Sequence, residues 1–220
     1  AYAYADKGDG KGFLYTNEIP VPQLVGCDRK VKTRIVTLGD SVTQGCQTSE
    51  FGYQFWAAQL LDQLGTEDYS LWNLGIGYAR ASDCARQGNW LNRAVAGADL
   101  ITVAFGTNDI ISGPYGGTGH ATPEEIEADV RKITRTCTDA GIRTILWNSP
   151  PFDMTPELDG IRTAYNETVE GIAKDNGATY FDVASLLADP SDASKTVYGQ
   201  HPNDEGGTVI TDALVKLIQE

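Results

Sequence analysis

Three residues of the kinds that transfer acyl groups stand at turns of this 220-residue sequence. Ser41 closes the turn Gly39-Asp40-Ser41, Asn108 follows a second apolar run, and His201 precedes the last amphipathic segment. Serine is a poor nucleophile at neutral pH unless a base takes its proton, and histidine, with an ordinary pKa of about 6.5, is the usual base. An asparagine amide and a glycine-turn N–H can stabilise the oxyanion that such an attack creates. The combination predicts acyl-transfer chemistry.

Only two histidines are available as the base. His120 lies in a loop rich in glycine, with no orienting neighbour in sequence, and is typical of a surface residue. His201 is held by Pro202 just ahead of a helical pattern. We therefore expect His201 to be the base.

These residues depend on strands that bring their turns together. Apolar runs that predict buried strands alternate with segments of helical periodicity, and this alternation predicts a parallel sheet covered on both faces, a three-layer α/β/α sandwich. Parallel sheets carry their chemistry at the carboxyl edge, so residues far apart in sequence can meet there. The predicted strands span residues 35–38, 69–74, 99–105, 142–147 and 179–183, and the predicted helices centre on residues 53–64, 90–95, 123–137, 156–176 and 209–218.

Composition limits the class of protein. The chain is 41% hydrophobic and 21% charged, which are the values of a globular domain. Its net charge of −13 repels phosphate backbones and anionic lipid, so nucleic acid and membrane surfaces are not expected partners. No apolar run approaches the roughly 18 residues that span a bilayer.

The chain divides into two parts at about residue 31. Residues 1–31 show no clear period and are expected to be an extension or linker remnant, whereas residues 32–220 form the predicted domain. The sequence begins at Ala1 without Met, which suggests a processed protein or an excised domain.

The four cysteines match no zinc spacing, and neither a metal nor another cofactor is expected. Cys137 shares a helical stripe with Ile126, Val130 and Ile133 and is expected to be a core residue. Cys46 and Cys84 each follow a predicted strand, so they are either disulfide-bonded or two reduced thiols. Cys27 lies in the amino-terminal extension.

Four short blocks together resemble the GDSL or SGNH hydrolase superfamily. They are residues 39–41 (Gly-Asp-Ser), 73–77 (Asn-Leu-Gly-Ile-Gly), 106–109 (Gly-Thr-Asn-Asp) and 201–203 (His-Pro-Asn), in the order that the family has. The resemblance covers the whole predicted domain. It implies a flavodoxin-like parallel sheet of about five strands and a serine esterase, in which Ser41 is the nucleophile and donates its own N–H to the oxyanion. It further implies that Asn108 is a second oxyanion donor and that His201 is the base.

Two positions depart from the family pattern. The family usually has glycine five residues after the asparagine of its second block, where this chain has Tyr78. The backbone donor of that turn is therefore either Gly77, which we favour, or the N–H of Tyr78. The family also has an orienting aspartate three residues before the histidine, where this chain has Tyr198.

Loss of the orienting carboxylate costs about 10⁴ in rate in the serine protease template, so an active enzyme needs a substitute for it. A backbone carbonyl of residues 198–200 is the favoured substitute, and Asp192 is the alternative.

The family includes carbohydrate acetylesterases, lipases, lysophospholipases and thioesterases, so the fold does not choose the substrate. Tyr78, Tyr115, Trp147 and Tyr198 are candidates to line the site, and aromatic side chains suit sugars. We expect deacetylation of a carbohydrate, with a short-chain lipase or thioesterase-type esterase as the alternative. Because Tyr198 replaces the orienting aspartate, an inactive glycan-binding domain is a further alternative. A site that binds an anion or a flavin at the Ser41 turn is another.

The expected location is extracellular or at the cell surface, with the cytoplasm as the alternative. The absent Met, the cysteines, the acidic surface and the substrate class favour the former. The oligomeric state is left open.

Overall fold

A computed structural model describes residues 31–46, 48–49, 54–86, 88–111, 120–188 and 201–220, together with the backbone of three short strands at 3–6, 13–16 and 196–197. Two of these strands, β1 (Ala3–Asp6) and β2 (Phe13–Thr16), pair antiparallel. The sequence did not predict this pair, because strands of four residues carry too little alternation to be recognised.

The centre of the domain is a five-stranded parallel sheet. Its strands are β3 (Thr33–Gly39), β4 (Tyr69–Asn73), β5 (Leu100–Ala104), β6 (Arg143–Trp147) and β7 (Thr179–Phe181). Their order across the sheet is β4-β3-β5-β6-β7, which is the flavodoxin-like order and confirms the predicted fold. Ile35 of β3 lies opposite Leu71 on one side and Leu100 on the other, so the register places the carboxyl ends of the strands along one edge.

Nine helices are present in the described part of the chain. They are α1 (Ser41–Gln44), α2 (Trp56–Leu64), α3 (Ala81–Arg86), α4 (Gly88–Gly97), α5 (Thr107–Ile111), α6 (Pro123–Asp139), α7 (Pro156–Asp175), α8 (Val183–Leu186) and α9 (Asp204–Gln219). The strands β8 (Thr196–Val197) and β9 (His201–Pro202) form a short antiparallel pair. Helix α6 begins with a capping box, in which Thr122 and Glu125 exchange hydrogen bonds.

The sheet is buried on both faces, as the sequence predicted. Along β3, Ile35 packs into a core cluster with α2 and α9, whereas Val36 packs into a second cluster with α3, α4, α6 and α7. The same alternation at Leu100 and Ile101 of β5 extends both clusters across the sheet. Side chains that alternate along each strand therefore pack into two separate cores, one on each face of the sheet.

Three cysteines lie in the described residues, and each is a free thiol. The structure thus has Cys46 and Cys84 as two reduced thiols rather than as a disulfide. Cys84 and Cys137 are buried in the core, where desolvation raises the pKa of both thiols. Cys137 occupies the predicted core stripe of α6. Cys27 lies outside the described residues.

In the described ranges, no helix combines the length and the apolar composition needed to cross a membrane.

Candidate active site

The turn between β3 and α1 presents Ser41 at the carboxyl edge of the sheet. A side chain at Gly39 would meet Thr43 Oγ1 at 2.2 Å and the Ala104 carbonyl oxygen at 2.5 Å, so only glycine fits where the chain leaves the strand. Asp40 caps α1 by accepting the Val42 N–H at 2.9 Å, which makes Ser41 the first helical residue. The turn is therefore held tightly from both sides of the serine.

Ser41 and His201 form the central contact of the site. Ser41 Oγ lies 2.8 Å from His201 Nε2, although 160 positions separate the two residues. His201 is carried by β9 just before α9, whose first turn is capped by the side chain of Asn203. The ring of Phe152 approaches the imidazole edge-on, with the centroids 6.2 Å apart. This arrangement is that of a nucleophile with its general base.

Burial controls the protonation of His201. Desolvation lowers the pKa of the imidazole from 6.5 to about 4, so the ring is neutral at neutral pH and able to accept the serine proton. Its Nδ1 is buried and has no hydrogen-bond partner among the residues that the structure describes. The two candidates named for orienting the ring, Asp192 and Tyr198, lie outside those residues.

Asn108 lies in α5, directly after β5. Its side chain is 3% exposed, and its Nδ2 donates to the Ala79 carbonyl oxygen at 3.1 Å. The preceding Gly106 has φ of +125°, and a side chain there would lie 2.6 Å from the ring of Tyr165. The bend at Gly106 thus turns the chain from the strand into α5 and places the amide near the turn that follows β4.

Asn73 at the end of β4 is a structural residue that the sequence did not single out. Its Oδ1 accepts from Thr37 Oγ1 at 3.0 Å and from the Gly75 N–H at 2.9 Å, and its Nδ2 donates to the Thr43 carbonyl at 2.9 Å. Asn73 therefore ties the turn after β4 to the nucleophile turn. The sequence signal for this role was the position of Asn73 as the first residue of the second block.

After β4, the backbone at Gly75 closely approaches α1. A side chain at Gly75 would lie 2.4 Å from the Gln44 backbone nitrogen. The Gly77 N–H donates to Gln44 Oε1 at 2.7 Å. Tyr78 has φ of +63°, the left-handed conformation that favours glycine, at the position where the family has glycine. Gly77 as an oxyanion donor stays a prediction, and it requires Gln44 to release this N–H.

Two buried carboxyl groups lie beneath the site. Burial raises the pKa of Asp40 to about 7, and the charge of Asp109 adds to that shift. Burial also raises the pKa of Asp109 to about 6, although the hydrogen bonds that its carboxylate accepts from backbone N–H groups lower the pKa. Both groups therefore titrate in the neutral range.

The other candidate residues are dispersed. Trp147 is 1% exposed and packs between Trp56 and Phe181 with tilted rings, whose centroids lie 4.8 and 4.9 Å away, so it lies in the core beside α2. His120 is exposed, as expected. Tyr115 lies outside the described residues. Among the described side chains, no group of three or more His, Cys, Asp or Glu is placed to hold a metal ion.

Comparison with protein families gives one match that covers most of the chain. The model of the GDSL-like lipase/acylhydrolase family matches residues 37–209, a range that includes all four blocks. A curated protein, the acireductone dioxygenase of Hahella chejuensis, is 35% identical over 72 residues. That match covers 33% of this chain and 39% of the dioxygenase, so it supports no statement about function.

Solved structures of similar fold include esterases. The psychrotrophic esterase EstA from Pseudoalteromonas sp. aligns with a TM-score of 0.67 and 17% identity, over 84% of this chain and 96% of that one. Axe2, an acetylxylan esterase from Geobacillus stearothermophilus, aligns with a TM-score of 0.69 and 19% identity, over 86% and 95% of the two chains. The acetyl xylan esterase AlAXEase aligns with a TM-score of 0.69 and 20% identity, over 84% and 99%. At these identities the likeness concerns the fold.

Proposed function

Because the chain belongs to the GDSL-like lipase/acylhydrolase family and is a carboxylic ester hydrolase, we propose that it removes acetyl groups from a carbohydrate through an acyl-enzyme on Ser41. The observation that carries the proposal is the 2.8 Å contact between Ser41 Oγ and His201 Nε2. The burial that keeps this imidazole neutral supports the same role for His201.

In the first half-reaction, His201 Nε2 takes the Ser41 hydroxyl proton while Oγ attacks the ester carbonyl carbon. The oxyanion that forms is stabilised by the Ser41 N–H, by Asn108 Nδ2 and by the turn at Gly77 and Tyr78. When the intermediate collapses, the ester C–O bond breaks and His201 returns the proton to the leaving alcohol. In the second half-reaction, His201 deprotonates a water that attacks the acyl-enzyme, which releases the acid and restores Ser41.

The imidazole needs a partner for its Nδ1–H during both half-reactions, because the ring becomes charged each time it holds the serine or water proton. We propose that a backbone carbonyl of residues 198–200 accepts this hydrogen bond, with Asp192 as the alternative. Asp192→Asn separates the two. A loss of about 10⁴ in kcat, as in the serine protease template, would identify Asp192, whereas unchanged kcat supports the carbonyl.

The acetyl and carbohydrate parts of the proposal are supported by the acetyl xylan esterases among the similar structures, and by the aromatic Tyr78 in the turn beside the site. A short-chain lipase or thioesterase-type esterase would use the same residues on another ester. Tyr198, which stands where the family has its orienting aspartate, favours a second candidate, a glycan-binding domain that does not turn over esters.

The test is a chain-length series of p-nitrophenyl esters, from acetate to decanoate, followed by acetate release from acetylated xylan. Ser41→Ala and His201→Ala should each abolish turnover, and His120→Ala, which removes the exposed histidine, is the matched control and should leave it unchanged. Activity confined to acetate, with acetate released from xylan, supports the proposal. A longer-chain optimum would move the substrate to lipids or thioesters, and full activity in Ser41→Ala would refute the mechanism.

A further inference from the structure

We propose that Asp109 is a positioning residue of the oxyanion hole: its buried carboxylate holds the segment of residues 77–81, which we call the oxyanion turn, against Asn108. The inference rests on the proposed function, because it assigns a role within the same site. Asp109 belongs to the third block, but neither the mechanism above nor the resemblance gives it a task.

Two side chains of helix α5 form hydrogen bonds with the backbone of the oxyanion turn. Asn108 Nδ2 donates to the Ala79 carbonyl at 3.1 Å, and Asp109 Oδ2 accepts the Ala81 N–H at 3.0 Å. The Asp109 carboxylate also accepts the N–H of Ser82. Two adjacent residues of one short helix therefore hold the oxyanion turn at Ala79 and at Ala81. The Asn108 amide on α5 and the backbone of the turn therefore keep a fixed relative position.

A carboxylate at this position is costly. Asp109 is 3% exposed, and the removal of its charge from water destabilises the ionised form. Asp40, the other buried carboxyl group, repels it, while Arg80 partly offsets the cost. An ionised carboxylate, however, can accept hydrogen bonds from several backbone N–H groups at once. Those N–H groups belong to the oxyanion turn and to the start of α3, so the turn is the element that benefits.

The turn needs to be held because its backbone is strained. Tyr78 has φ of +63°, a conformation that is unfavourable for a residue other than glycine. Gln44 holds the turn from the nucleophile side through the Gly77 N–H, and α5 holds it from the other side. Without Asp109, Tyr78 can relax to negative φ, and such a rotation changes the direction of the amide groups beside the oxyanion.

The experiment compares Asp109→Asn with Asp99→Asn in steady-state hydrolysis of p-nitrophenyl acetate. Asp99 is the matched control because it precedes the same strand β5 at the opposite edge of the sheet and also accepts a backbone N–H, that of Arg34 at 2.9 Å. Removal of one oxyanion donor costs about 10² to 10³ in kcat, and a displaced donor keeps part of its effect. We therefore expect Asp109→Asn to lower kcat about 10- to 100-fold with KM within about threefold, and Asp99→Asn to change neither.

A double-mutant cycle separates positioning from general loss of structure. If Asp109 acts through the oxyanion hole, its substitution should cost less kcat in an Asn108→Ala background than in the wild type, because Asn108→Ala already releases the turn at Ala79 and removes the donor against which the turn is aligned. Additive losses, or a loss that only follows the unfolded fraction measured by circular dichroism, would overturn the proposal. If Asp109→Asn does not fold, Asp109→Ser, which keeps a short acceptor, takes its place in the cycle.

The two proposals fail in different ways. Ser41-dependent turnover that Asp109→Asn leaves intact overturns the positioning role alone. Turnover that survives in Ser41→Ala, or no ester turnover in the wild type, overturns the proposed function and the role of Asp109 with it.

Discussion

Substitution of Asp40 by Asn should stabilise the protein, and the gain should grow with pH. Asp40 is 3% exposed, and burial raises its pKa from 3.8 to about 7. The folded state therefore binds this proton more tightly than the unfolded state, so the free energy of unfolding falls as pH rises between these two values. Between pH 5 and pH 7 the slope starts near ~1.4 kcal/mol per pH unit and flattens toward the folded-state pKa, so the free energy of unfolding falls by about 2 kcal/mol.

Asn is neutral at every pH and keeps an oxygen that can accept the Val42 N–H, so it retains the cap of α1 without the desolvation cost. The assay is urea unfolding of wild type and Asp40→Asn at pH 5, 6, 7 and 8. We expect the free energy of unfolding of Asp40→Asn, relative to that of the wild type, to increase by about 2 to 3 kcal/mol from pH 5 to pH 8. The contribution of His201 is common to both proteins and cancels.

A control and a refuting result follow from the same reasoning. Asp99 is hydrogen-bonded to Arg34, which lowers the pKa of its carboxyl to about 2. Asp99→Asn should therefore show no pH-dependent gain. If Asp40→Asn and wild type keep a constant stability difference across this pH range, then Asp40 is ionised in the folded state at pH 5, and the claim that burial controls its proton is wrong.

Two further predictions concern the site. The depressed pKa of His201 should keep kcat/KM of Asp109→Asn for p-nitrophenyl acetate near its plateau at pH 5.5, because a base of pKa about 4 is then about 97% neutral, against about 9% for an ordinary histidine. The wild type should lose activity near pH 6 through Asp109 as well, so the variant isolates the histidine. Half-maximal activity of Asp109→Asn near pH 6.5 would contradict this reasoning. Gly39→Ala should cost several kcal/mol and most of the activity, since its Cβ would lie 2.5 Å from the Ala104 carbonyl oxygen. A Gly39→Ala protein with wild-type melting temperature and turnover would show that the turn can shift.

The sheet could be predicted from sequence because buried parallel strands are near-continuous apolar runs ended by turn residues. β3 and β5 show this most clearly, and the helices that begin at Pro123 and Pro156 carry recognisable caps. The same feature explains why Trp147 was a candidate for the pocket. When both faces of a strand are apolar, the pattern does not tell which face a side chain occupies, and Trp147 lies in the core.

The oxyanion turn could not be predicted in detail because distant residues determine its conformation. The start of α3 is fixed by Asp109, 28 positions later, and the direction of the Gly77 N–H by Gln44, 33 positions earlier. No local pattern contains such pairings. The family blocks indicated which segments meet, but not which atoms.

The separation of Ser41 and His201 along the chain has a consequence for folding. His201 precedes α9, and α9 packs on α2, so the catalytic pair is complete only when this last helix has docked. Contacts between such distant segments form slowly, because a long loop must close before they stabilise the chain. In a refolding experiment, recovery of turnover should therefore lag behind the helical circular dichroism signal. Enzymatic activity then reports the docking of α9 directly, as a kinetic probe that requires no label.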